Sequence, residues 1–101
     1  MKIVTFKELD DSLIDSRHEV EYFQSGTNGN AQVIILDIDT IFDFEENKHE
    51  ICVEDFKSIA IIEDDSDFEA FKNFGIDAWI KATDLGDLNG LLNLIEKRYF
   101  S

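Results

Sequence analysis

Apolar and polar positions fall into blocks along the chain, and the blocks are of two kinds. Short β-branched or aromatic runs read as strands: Lys2-Ile3-Val4-Thr5-Phe6, Glu19-Val20-Glu21-Tyr22-Phe23, Val33-Ile34-Ile35-Leu36, Ser58-Ile59-Ala60-Ile61-Ile62, and Ile76 to Ile80 around Trp79. The third and fourth are continuously apolar, the mark of strands buried on both faces. Other blocks have helical spacing. Glu8 to Arg17 places Leu9, Leu13 and Ile14 on one face and predicts a short helix. Ser66-Asp67-Phe68-Glu69 has the Ser-x-x-Glu form of a capping box, followed by Phe68, Phe71 and Phe74 on one face. Gly75 is placed to end that helix in a left-handed conformation. Asp84 is placed to cap a last helix with the stripe Leu85, Leu88, Leu91, Leu92, Ile95 and Tyr99. Lys97 and Arg98 fall in its last turn, where the helix dipole favours cations. Ser25 to Asn30 is a loop, and residues 40–57 mix acids with scattered apolar positions and read as helix or loop.

Buried strands alternating with helices predict an open, doubly wound α/β sheet in one domain spanning residues 1–101. In such sheets function sits beyond the carboxyl ends of the central strands. That rule selects Lys7 and Glu8, Asp37 and Asp39, Glu63 and Asp64, and Lys81.

Composition narrows the function. A formal net charge of −14 over 101 residues repels phosphate backbones and anionic membranes. Direct nucleic-acid or membrane binding is therefore not expected, and basic protein surfaces are the favoured partners. The apolar runs are too short to span a bilayer, and no long apolar stretch opens the chain, so the cytoplasm is the expected compartment. A lone Cys52 makes no internal disulfide, and His18 and His49 have no zinc spacing; surface or capping roles are expected for both. No Ser/His/Asp or Cys/His set and no phosphate-cradling glycine loop occurs, so no enzyme is expected.

Asp37 ends the most buried strand, where acids are rare unless paired or solvated. Such a residue is a phosphoacceptor or metal ligand, or more simply an acid that caps the following turn. Lys81 ends the fifth strand on the same edge of the sheet and is placed to neutralise Asp37 or a phosphoryl oxygen. The acids Glu63, Asp64, Asp65 and Asp67 read first as a solvated turn at a helix N-terminus.

With these residues in view, the chain resembles the receiver domain of two-component response regulators over nearly its whole length. Lys2 to Glu8 resembles the first strand and its acidic pair. Val33 to Asp37 resembles the third strand, ending in the phosphoacceptor. Ser58 to Glu63 resembles the fourth. Phe74-Gly75-Ile76-Asp77-Ala78-Trp79-Ile80-Lys81, running on to Leu88, resembles the stretch leading into the last helix. The resemblance implies a flavodoxin-like (CheY-like) five-stranded parallel sheet with shortened middle helices, a phosphoacceptor at Asp37, switch and phosphate-site positions at Glu63 and Lys81, and Mg²⁺ held by Glu8 and Asp37 where the site is functional.

The departures point away from ordinary phosphorylation. Lys7 stands where the first acid of the pair belongs, and Glu8 where the second, usually Asp, belongs. Glu63 replaces the hydroxyl residue of the fourth strand, Ile41 replaces a Pro, and Ala82 replaces the Pro after the Lys. The spacing from Gly75 to Lys81 is one residue short. Phosphoryl transfer to Asp needs a divalent cation held by several oxygens. Lys7 removes a ligand and sets a positive charge in its place, while Glu63 opposes an incoming phosphoryl group by about 4 kcal/mol at 4 Å and an effective dielectric near 20. Lys7 and Lys81 are expected to pair with Asp37 and Glu63 without metal. The expected function is thus a degenerate, or pseudo-, receiver that signals by protein–protein interaction, with no cofactor. Its partners are a histidine kinase or an effector with a basic surface, and a homodimer through the last strand and helix is a further expectation. Three alternatives stay open. One is a working receiver phosphorylated by a histidine kinase. Another is a remnant of a haloacid-dehalogenase-like phosphatase, with Asp37 of Asp37-Ile38-Asp39-Thr40 as nucleophile and Asp39 as general acid. The third is an acidic mimic that occupies a nucleic-acid-binding protein.

Overall fold

The strongest apolar runs stand side by side at the centre of one sheet. The computed structural model describes residues 1–100. Its strands are β1 (Lys2–Thr5), β2 (Glu19–Tyr22), β3 (Ala31–Leu36), β4 (Cys52–Ile62) and β5 (Ala78–Lys81). All neighbours are parallel, in the order β2-β1-β3-β4-β5. Of three helices, α1 (Ile41–Ile51) joins β3 to β4, α2 (Ser66–Phe71) joins β4 to β5, and α3 (Leu88–Tyr99) follows β5. The register sets Thr5 beside Ile35, Leu36 beside Ala60 and Ile62 beside Lys81, so the carboxyl ends of β1, β3, β4 and β5 lie at one edge.

Both faces of the central strands are covered, as the continuous apolar runs require, while the edge strand β2 is largely exposed. Val4, Ile34, Leu36, Ala60 and Ile62 face Ile41, Phe44 and Ile51 of α1 and Phe71 of α2. Ile3, Val33, Ile35, Ile59, Ile61 and Ile80 face Leu88, Leu92 and Ile95 of α3, with Ile14. Each fully buried side chain of this size contributes about 1.5–3 kcal/mol of hydrophobic free energy.

Several local expectations are corrected. Residues 8–17 form no α-helix; only a 3₁₀ turn at Asp11–Leu13 is present. The Asp10 carboxylate accepts from the Ser12 amide and hydroxyl, and Asp15 Oδ1 accepts from the Arg17 amide. These local bonds compete with the helical ladder, and Asp and Ser gain little in helix to offset them. The apolar positions still reach the core, with Leu9, Leu13 and Ile14 against the α3 side.

The capping box at Ser66 does not form. Asp65 is the cap position, Ser66 donates its amide to Asp64 Oδ1, and Glu69 pairs with Lys72 at 3.0 Å. Asp67 Oδ2 accepts from the amides of Glu63 and Asp64 instead. The helix stops at Phe71, so Phe74 lies beyond it; Gly75 then takes φ +66°. Asp84 lies inside a 3₁₀ turn (Ala82–Asp87) rather than capping α3. Residues 40–57 resolve into α1 and the first half of β4, which follow one another without a linker. No helix of the described residues is long and apolar enough to cross a membrane.

Candidate functional site

The order of strands reverses direction between β1 and β3, and the crevice above that point is where open α/β sheets bind ligands. Lys7 leaves β1 and Asp37 leaves β3 into this crevice. Lys7 Nζ donates to Asp37 Oδ2 at 3.0 Å. The Asp37 side chain is only 8% exposed, whereas that of Lys7 is 33% exposed. The hydrogen bond to Asp37 raises the Lys7 pKa above its ordinary value; burial opposes this, and attraction from Asp37, Glu63 and Asp39 adds to it. The ammonium is therefore firmly protonated, and it offsets the charge of a nearly buried carboxylate.

Thr40 completes the arrangement in a role that the strand-end rule does not assign to it. Its hydroxyl donates to Asp37 Oδ1 at 2.9 Å and accepts from the Asp37 amide at 3.0 Å. The Thr40 amide closes the turn by donating to the Asp37 carbonyl at 3.2 Å. The signal was the Asp-x-x-Thr spacing before an apolar helix start, a side-chain turn motif. Asp37 thus has both carboxylate oxygens occupied, one by an ammonium and one by a hydroxyl.

The other predicted positions spread outward from this pair. Glu63 and Asp39 are exposed and act on Lys7 through charge. Lys81 is exposed at the end of β5 and makes no ion pair among the described residues, so the expected Lys81 partnership is not formed. It lines a cavity of about 390 Å³ with Ile62, Phe68, Trp79, Ile80 and Leu91, rimmed by Asp84 and Asp87. Glu8 is exposed and lines a different cavity, beside β2. No group of three or more His, Cys, Asp or Glu among the described residues is arranged to hold a metal ion. Burial pushes the Cys52 thiol up to about 12, so it is no nucleophile at neutral pH.

His18 is not a surface residue. It is 6% exposed, and its Nδ1 lies 3.0 Å from the N-terminal ammonium of Met1. That ammonium lies 3.9 Å from Glu96 Oε2, and Glu96 in turn binds Arg17 at 2.6 Å. Burial, the N-terminal charge and Arg17 lower the His18 pKa, against weaker opposing pulls from Glu96 and Asp15.

No protein-family model, no curated protein and no solved structure matches the chain.

Proposed function

We propose that the chain is a receiver-like, protein-binding module whose switch position is held by an internal ion pair instead of a phosphoryl group and Mg²⁺. The contact between Lys7 Nζ and Asp37 Oδ2 carries this reading. An ammonium stands where a divalent cation would have to neutralise Asp37, and the Thr40 hydroxyl occupies the other oxygen. The strand order 2-1-3-4-5 is that of flavodoxin-like, doubly wound proteins and supports the finer fold reading. Protein binding is supported by a second feature. Phe68 and Trp79 are exposed, with ring centroids 5.2 Å apart, over the cavity at the end of β5. Its rim carries Asp84 and Asp87 on a chain of net charge −14, which suits a partner with a basic surface around an apolar anchor.

The test is a magnesium titration followed by a small-molecule phosphodonor, read by Trp79 fluorescence and intact mass. The expected result is no saturable response and no added mass. A phosphoryl adduct that disappears in Asp37→Asn would instead mean a working phosphoacceptor.

A further inference from the structure

β2 has β1 on one side and, among the described residues, no strand on the other. The Glu19 amide donates to the Met1 carbonyl, so the main-chain groups of Glu19, and of Glu21 two residues on, face β1. The N–H and C=O of Val20 therefore face outward, as does the N–H of Tyr22. Such an edge is a template for an added strand, and proteins commonly guard it with a helix, a loop or charge.

Here no helix guards it. Residues 8–17 form only a 3₁₀ turn and loops, and a cavity of about 570 Å³ opens between them and β2. His18, Val20, Tyr22 and Ser25 line it in chain order, so the cavity follows the edge along its length. Leu9 and Val20 give it apolar surface. Glu8 and Asp11 stand on its far wall, exposed and without a hydrogen bond or ion pair among the described residues. On the opposite face of β2, Glu19 and Glu21 are already held by Lys2 at 2.9 and 2.8 Å.

The guard is charge, and charge is selective. A second copy would set one acidic edge against another, each on a chain of net charge −14. A basic strand meets the opposite sign. We propose that a basic, extended peptide segment of a partner protein adds a sixth strand beside β2. Its main chain pairs with Val20 and Tyr22. Every second side chain is Arg or Lys, with its stem over Leu9 and Val20 and its cation at Glu8 and Asp11. The site lies at the other edge of the sheet from the β5 cavity and is independent of the reading given to Asp37.

The probe is acetyl-Thr-Arg-Thr-Arg-Thr-Arg-Thr-amide, titrated into the full chain and followed by amide shifts and hydrogen exchange. Saturable shifts at Val20 and Tyr22, with slowed exchange of both amides, are expected at a Kd of about 1 mM or below. Two further peptides carry N-methyl groups on the Arg nitrogens or on the Thr nitrogens. Only alternate amides of a strand face its neighbour, so one of the two should bind about tenfold more weakly and the other should not. The Glu8→Gln/Asp11→Asn variant should also bind the probe about tenfold more weakly. Both of its substituted side chains are exposed and unpaired, so it keeps the fold. Absence of saturation up to about 5 mM overturns the proposal. So does equal affinity of the two methylated peptides, or of a peptide with its three Arg adjacent, since either result reports only the diffuse field of the chain. Shifts centred on Trp79 would move the peptide to the other edge. Exchange of Val20 that slows with protein concentration alone would give β2 to a second copy. Either result also overturns the assignment.

Discussion

Lys7 Nζ and Asp37 Oδ2 meet at 3.0 Å across the carboxyl ends of β1 and β3. The two residues are thirty positions apart in sequence, and the parallel pairing of Thr5 with Ile35 brings them together. The pair is asymmetric, with a nearly buried carboxylate and a partly exposed ammonium. Removing the ammonium leaves a desolvated charge; removing the carboxylate leaves a lysine that can turn to water.

A double-mutant cycle should therefore find real coupling. Lys7→Met should destabilise the chain by about 1–3 kcal/mol, the lower part of that range reflecting the exposure of Lys7. Asp37→Asn should cost less once Lys7 is already Met. Urea midpoints of the four proteins give the coupling, expected near 1 kcal/mol or above. Strict additivity would show that the contact contributes nothing to folding.

Thr40 should matter beyond its size. Thr40→Val keeps the shape and removes the hydroxyl that bridges the Asp37 amide and Oδ1. The expected loss is about 1–2 kcal/mol, with Thr40→Ser retaining most of the stability. Equal losses for Val and Ser would assign the effect to packing rather than to the hydroxyl.

Much of the fold was legible because its central strands are continuously apolar: Val33–Leu36 and Ile59–Ile62 admit few arrangements other than a sheet covered on both faces. What was not legible is where short polar side chains divert the backbone. Leu9, Leu13 and Ile14 have helical spacing and are packed on the core, yet Asp10 and Asp15 bind nearby amides and no helix forms. Spacing reports which residues go inside, not the path between them. α1 was obscured for the opposite reason. Only Ile41, Phe44 and Ile51 are buried in it, and Phe42 is 70% exposed, so its apolar stripe is faint. At the site, the positions of Lys7 and Asp37 followed from strand ends alone, whereas the role of Thr40 needed the turn, and the burial of His18 needed the N-terminus beside it.

The pH dependence of stability has a definite sign. Hydrogen bonds from Lys2, then from Thr27, lower Glu21 to about 2. A depressed carboxyl stabilises the fold above its unfolded value, about 4.3, and that contribution is lost as pH falls through about 2. His18 is lowered as well, so the folded state prefers the neutral ring. Its contribution is complete above the ordinary imidazole value of about 6.5 and declines as pH falls below it. Urea midpoints should thus drop in two stages on acidification. Glu21→Gln should remove part of the lower stage and leave the upper one. A single stage that Glu21→Gln leaves unchanged would contradict the assignment.

Reversing the charge at position 7 tests the ion pair most directly. Lys7→Asp would put a second carboxylate beside Asp37, within the field of Asp39 and Glu63, which already act on Lys7. Without a cation, these acids repel one another and the variant should be less stable than the parent. With a divalent cation the repulsion becomes a ligand set, since hard cations are held by several carboxylate oxygens. Magnesium should then raise the melting temperature of Lys7→Asp in a saturable way, at millimolar levels like those of weak carboxylate sites, by preferential binding to the folded state. The parent, with its ammonium in place, should show no such gain. A magnesium response of the same size in both proteins would mean that Lys7 does not exclude the cation, and the reading of Asp37 as an internally neutralised switch position would fail with it.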